Sequence, residues 1–211
     1  MKDFNIFVFY VLKMDSVNKD IRKAKTIPSE FYYSNQKFDT IKDSLFTKHW
    51  QFTCDTQKIK NHGDTFPYNF MGQFLPEPLL LCNHNGEFKS MSNVCTHRGN
   101  ILVDSPCNLK SGIICKYHGR KFDTCGNFKF MPKCEDVINF PSKKDNLPQI
   151  PTNRWKQFIF TSLNPKIPFD QLIRDMDDRV GWMPIENFIF SKERSKDYFI
   201  DANWALYCDN Y

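Results

Sequence analysis

The chain has 211 residues, enough for one complete domain and part of a second. Hydrophobic residues make up 41% of it, with 21 Phe and only 8 Gly, which excludes a disordered chain and favours a β-rich globular protein. The formal net charge is +5 and the basic residues are scattered, so we expect no nucleic-acid partner and at most a weak attraction to an acidic protein.

The first residues of the chain bear on the compartment in which it works. Residues 1–25 form a polar lead that contains one apolar segment, residues 4–12, which is too short to span a bilayer. No small-residue cleavage site follows this segment, which argues against a signal peptide. An alternative is that translation starts at Met14 and that the start codon at residue 1 was assigned too early. We therefore expect no membrane association and a reducing cytoplasm, where eight cysteines indicate metal binding rather than a disulfide scaffold.

Helical periodicity occurs in two segments that lie on either side of a β-type region. Residues 38–50 and residues 168–182 each carry apolar side chains at helical spacing. Between them lie short β-type runs, separated by turn signals such as Asn85-Gly86. These runs are residues 78–82, 87–91, 112–115, 128–131 and 157–161. A further strand is predicted at residues 197–205.

This order of elements predicts a mainly β protein, α+β overall, in three parts. Residues 1–37 form a lead segment, and residues 38–165 form a small antiparallel β domain with a leading helix. Residues 166–211 begin a second domain of the α+β type that the chain does not complete.

Two short motifs carry the chemistry, Cys95-Thr96-His97-Arg98-Gly99 and Cys115-Lys116-Tyr117-His118-Gly119. Each offers one thiolate and one imidazole, and seventeen residues separate the two motifs' ligands, so two hairpin tips brought face to face could clamp one cluster. Thiolates suit iron–sulfur clusters and imidazoles suit iron. We predict a Rieske-type [2Fe–2S] cluster with Cys95 and Cys115 on one iron and His97 and His118 on the other.

Other interpretations of the same residues remain at this stage. A structural zinc site would use the same side chains, although zinc sites favour Cys-x-x-Cys paired with His-x-x-x-His. Four unrelated residues are the least favoured alternative. Cys82 is expected in the core, and the remaining cysteines and histidines are expected to be inert; they are Cys54, Cys107, Cys125, Cys134, Cys208, His49, His62 and His84.

The chain resembles the large (α) subunit of Rieske non-haem iron oxygenases, the aromatic-ring-hydroxylating and choline-monooxygenase-like group. The resemblance covers roughly residues 25–211 and rests on residues 92–100 (SNVCTHRGN) and 115–123 (CKYHGRKFD), with landmarks at Trp50-Gln51 and Asn203-Trp204. It implies an electron donor that is a ferredoxin or flavin reductase, a mononuclear Fe(II) that activates O₂, a small organic substrate, and often a homotrimer.

One departure from the family decides the expected activity. The family's catalytic iron is held by two His and one carboxylate, in a motif that begins Asn-Trp and continues through an acid-Asn-aromatic step. Asn203-Trp204 and Asp209-Asn210-Tyr211 match the start, but no His follows His118. We therefore expect an N-terminal piece of an α subunit, with no catalytic residues of its own and with mononuclear Fe(II), substrate and O₂ only in a full-length form. A stand-alone carrier similar to a Rieske ferredoxin is the alternative.

Two positions after the second motif bear on the reduction potential. High-potential Rieske relatives carry a Ser and a Tyr where this chain has Arg120 and Phe122. Phe122 lacks the hydroxyl that would donate to sulfur, and we expect the long Arg120 side chain to reach water. The potential is therefore expected near the low end of the Rieske range, around −150 mV.

Overall fold

The computed structural model describes residues 17–210. Within them lie two compact units, one formed by His49–Glu186 and the other by the described residues before and after it. The apolar segment predicted at residues 4–12 lies outside the described residues. No described helix is long and apolar enough to cross a membrane.

The unit His49–Glu186 is built on antiparallel sheets. Its strands are β1 (Gln51–Asp55), β2 (Asp64–Asn69), β3 (Pro78–His84), β4 (Glu87–Ser92), β5 (Cys107–Asn108), β6 (Ile113–Ile114), β7 (Lys121–Phe122), β8 (Phe128–Phe130), β9 (Gln149–Ile150), β10 (Thr152–Trp155) and β11 (Phe158–Thr161). They form three sheets in the orders β1-β11-β10, β5-β2-β3-β4-β9 and β6-β7-β8. The predicted antiparallel β domain is confirmed.

The hairpin β3–β4 is the centre of the largest sheet. Asn85 and Gly86 form its two-residue turn with φ of 54° and 89°, as a type I′ turn requires, and His84 pairs with Glu87 on either side of them. Strand β3 is buried on both faces. Its residues Leu79–Cys82 are accordingly all apolar, without the alternation of apolar and polar residues that a half-exposed strand shows.

A core cluster lies beneath the two cysteine motifs. Phe122, Met91, Ile113 and the other members of this cluster are almost completely buried, and Cys95 and Cys115 belong to the same cluster. Cys82 is also part of it, as predicted. The thiols of both motifs thus lie against a rigid apolar layer.

Helix α3 (Phe169–Val180) confirms the second predicted helix. Its Phe169 and Ile173 pack with Trp155 and Ile185, and the Trp155 indole N–H donates to the Asp177 carboxylate at 3.0 Å. This packing joins the helix to the sheet β1-β11-β10.

The second unit contains the other helices of the described chain. Helices α1 (Glu30–Tyr33) and α2 (Asn35–Ser44) precede the β region, and α4 (Trp204–Asp209) lies near the end. Helix α2 confirms the helix predicted at residues 38–50, with its first residue three positions earlier and a 3₁₀ turn at Phe46–Lys48. The predicted boundaries of the three parts stay a prediction.

The strand predicted at residues 197–205 is wrong. The Asn203 side chain accepts a hydrogen bond from the Ala205 N–H at 3.0 Å and so begins helix α4. Tyr198, Phe199 and Ile200 are exposed, and no described strand pairs with them. Their β-type composition suits a strand only where a neighbouring strand supplies pairing.

Candidate metal centre

Each cysteine motif folds into a loop that is closed by its own main chain. In the first loop the Cys95 N–H donates to the Asn100 carbonyl at 2.8 Å, and the Gly99 N–H donates to the Cys95 carbonyl at 3.0 Å. The second loop repeats the pattern, with Cys115 donating to Arg120 at 2.8 Å and Gly119 donating to Cys115 at 3.0 Å. The two loops are therefore near copies of one another.

Glycine is required at the same place in both loops. Gly99 and Gly119 have φ of 70° and 71°, in the left-handed region that other residues enter only with strain. A Cβ on Gly99 would meet no protein atom within 4 Å. At Gly99 the backbone conformation alone therefore accounts for the glycine.

The four predicted ligands meet as two like pairs. The thiols of Cys95 and Cys115 lie within hydrogen-bonding reach of one another. The rings of His97 and His118 lie with their centroids 4.8 Å apart, edge to face. Each pair contains one residue from each loop, which is the arrangement that a cluster with two thiolates on one iron and two imidazoles on the other requires.

Burial differs between the two pairs. Cys95 and Cys115 are 3% and 2% exposed, whereas His97 and His118 are only partly buried. The Nδ1 atom of His118 is nevertheless buried, and it has no hydrogen-bond partner among the described residues. An unpaired buried nitrogen is costly, and coordination of a metal would satisfy it. The donor set and this nitrogen fit a [2Fe–2S] cluster.

The electrostatics favour the thiolate of Cys115 and the neutral form of His97, but they do not favour the thiolate of Cys95. Burial raises the pKa of Cys95. Burial is the largest single influence on Cys115 and opposes its thiolate, but hydrogen bonds from the N–H groups of Tyr117 and His118, together with those from the side chains of Cys95 and Asn100, outweigh it, and the pKa of Cys115 is lowered. The pKa of His97 is lowered, chiefly by burial, so its imidazole stays neutral and able to bind a metal.

Arg120 corrects one expectation. Its side chain was expected to reach water, but it is 4% exposed. The guanidinium donates to the Thr96 hydroxyl at 2.8 Å and to the Asp145 carboxylate at 3.3 Å. The cysteine motif itself does not indicate the pairing of Arg120 with Asp145. The only sequence signal at Asp145 is the pattern Ser142-x-x-Asp145, which is typical of a capping box, and these two residues do form one.

Asn100 is a residue of this site that the sequence did not indicate. Its side-chain N–H donates to the Cys115 sulfur at 3.8 Å, a long contact of the kind sulfur accepts. No pattern in the sequence points from Asn100 to a cysteine fifteen residues away. Cys82 and Cys54 are buried free thiols, and His84 is occupied by a 2.7 Å hydrogen bond to Thr124.

The family match decides the identity of the centre. Residues 49–141 match the model of the Rieske [2Fe-2S] domain. These residues, rather than the whole chain, match a Rieske domain. The predicted cofactor is thereby confirmed, whereas the assignment of its four ligands stays a prediction.

Curated relatives of this chain are a monooxygenase and the oxygenase subunit of another. It is 28% identical over 144 residues to the carnitine monooxygenase oxygenase subunit of Escherichia coli (strain K12), covering 68% of this chain and 38% of the relative. It is 27% identical over 207 residues to the chloroplastic choline monooxygenase of Arabidopsis thaliana, covering 90% and 47%. The chain thus spans less than half the length of these two relatives, and it is related to Rieske oxygenase α subunits.

Solved structures show the same fold. The apo form of the quaternary ammonium Rieske monooxygenase CntA superposes with a TM-score of 0.66 at 22% identity, over 74% of this chain and 45% of that one. Naphthalene 1,2-dioxygenase from Rhodococcus sp. superposes with a TM-score of 0.62 at 23% identity, over 72% and 34%. The predicted fold class is confirmed by these matches.

Proposed function

We propose that the chain is the electron-transfer portion of a Rieske oxygenase α subunit. One observation carries the proposal: the Cys95 thiol lies beside the Cys115 thiol, and the His97 ring lies beside the His118 ring, so each pair contains one residue from each loop. The similarity to choline monooxygenase covers 90% of the chain and so extends beyond residues 49–141, which favours this function over a stand-alone carrier.

The ligand residues have distinct parts in this function. Cys95 and Cys115 would hold one iron against the apolar core, and His97 and His118 would hold the other at the more exposed edge. When bound, the cluster takes up and releases one electron at a time. Because the imidazoles lie nearest to solvent, electrons would enter and leave on their side, while the buried thiols exclude water from the other.

The partners follow from the family. We propose a ferredoxin or flavin reductase as electron donor, and a mononuclear Fe(II) outside the residues present here as acceptor. In the complete protein that iron would act on O₂ and a small organic substrate. Carnitine and choline, after which the two relatives are named, are small organic molecules of this kind. A homotrimer and a reducing compartment such as the cytoplasm complete the proposal.

The test is a redox measurement on the purified chain. After anaerobic reconstitution, it should contain about two irons and two sulfides per chain, show the EPR signal of a Rieske cluster when reduced, and accept one electron per cluster. A single bound zinc with no redox activity would contradict the proposal. An all-cysteine cluster, recognisable by its different EPR signal, would contradict the ligand assignment alone.

A further inference from the structure

Asn100 and Arg120 occupy equivalent places in the two loops. Each follows the glycine of its motif, and each carbonyl accepts the N–H of its own loop's ligand cysteine, Cys95 for Asn100 and Cys115 for Arg120. Their side chains therefore start from matching points at the bases of the loops.

Both side chains cross to the opposite loop. Asn100, in the first loop, donates to the Cys115 sulfur of the second at 3.8 Å. Arg120, in the second loop, donates to the Thr96 hydroxyl of the first at 2.8 Å. Thr96 lies between the ligands of its motif, so both contacts end on or beside a ligand residue.

The Arg120 guanidinium is held firmly where it makes this contact. It is paired with Asp145 at 3.3 Å, and the Phe128 and Phe140 rings lie 5.2 and 5.4 Å from it. The Thr96 hydroxyl also donates to the Asp145 carbonyl at 2.7 Å, which closes a triangle of polar contacts. A planar guanidinium with two fixed partners resists reorientation in a way that a surface arginine does not.

We infer that Asn100 and Arg120 are reciprocal positioning residues that hold the two loops at the separation a [2Fe–2S] cluster needs. The inference rests on the proposed function, because it concerns retention of that cluster. Neither residue is a ligand. Asn100 has a second effect, since an N–H donor to the Cys115 thiolate favours the more negative reduced cluster and so raises the potential.

The Arg120 contact is tested with two small changes. Arg120→Lys keeps a positive charge near Asp145 but loses the fork that reaches Thr96, and Thr96→Val removes the accepting hydroxyl with little change of shape. Each variant should lose its cluster to a chelator about tenfold faster than the unchanged protein, the factor of one lost hydrogen bond to a charged group. The double variant should lose its cluster more slowly than the product of the two single effects predicts, because both changes remove the Arg120–Thr96 contact, although Thr96→Val also removes the Thr96–Asp145 hydrogen bond.

The Asn100 contact is tested by potential as well as by retention. Asn100→Ala should lower the midpoint potential in an EPR-monitored titration, a readout that a merely structural residue would leave unchanged. Asn108→Ala and Arg154→Lys are the matched controls, because Asn108 binds Asp64 at 2.7 Å and Arg154 lies over Phe88, both away from the loops. Neither control should change the potential or the rate of cluster loss.

The outcomes separate the inference from the proposed function. If the unchanged chain binds no Rieske cluster, the proposed function fails. If it binds the cluster and the variants retain it at the unchanged rate and potential, the positioning role is wrong. If Arg120→Lys does not fold, Thr96→Val decides alone: cluster loss at the unchanged rate would overturn the inference, and faster loss would support it.

Discussion

Cys95 and His118 come from different loops and are expected to bind different irons. We expect Cys95→Ala and His118→Ala each to abolish cluster assembly, because in each variant one of the two irons keeps only one of its two protein ligands. Iron and sulfide analysis after anaerobic reconstitution measures this. Cys208→Ala and His62→Ala are controls that leave both ligand pairs intact, and a full complement of iron in either ligand variant would contradict the assignment.

Phe122 is fully buried in the core cluster that includes both predicted ligand cysteines. Arg120 also points inward, but its pairing with Asp145 offsets its charge, so a potential near −150 mV is still expected. Phe122→Tyr would add a hydroxyl donor beside the sulfurs and should raise the midpoint potential by about 40–60 mV, equivalent to roughly 1 kcal/mol for one electron. An EPR-monitored titration measures the shift, and Phe88→Tyr is the control, because Phe88 packs against a different core cluster. An unchanged potential would show that position 122 does not reach the cluster sulfurs.

Strands and helices differ in how much of them was predictable. The hairpin at Asn85-Gly86 was predicted because its turn chemistry is local. Strand β2 was not predicted, because Pro67 interrupts its β-type pattern. A proline is tolerated at this position because β2 has only one neighbouring strand there: Pro67 pairs with β3, whereas the pairing with β5 is confined to Asp64 and Thr65. The Arg120–Asp145 pair was missed because partners twenty-five residues apart leave no periodic signal in the sequence.

Helix α3 supplies a test at the scale of one element. Ile173 lies in the buried cluster with Trp155 and Phe169, so Ile173→Ala should lower the free energy of unfolding by about 2–5 kcal/mol. Arg174→Ala, on the exposed face of the same helix, should change it by less than about 0.5 kcal/mol. Urea unfolding of both variants makes the comparison. Equal destabilisation would mean that the helix does not depend on this packing.

The whole chain combines an electron-carrying centre with a sequence that lacks histidine after His118. We expect the purified 211-residue chain to accept electrons from a reductase and to oxygenate nothing, because two His for a mononuclear iron are missing from it. Product analysis with carnitine and choline, alongside O₂ uptake, measures this. Product formed in proportion to O₂ consumed, with this chain as the sole oxygenase component, would contradict it.

The loops that carry the two cysteine motifs are shaped by their main chains, and this leaves some side chains free to vary in evolution. Arg98 and Lys116 are exposed within the two motifs, while the hydrogen bonds that close the loops run between backbone atoms. Substitutions at these two positions would change the charge and shape that a redox partner meets without altering loop geometry. Partner preference could therefore diverge among descendants of one ancestral protein while the cofactor site stayed the same.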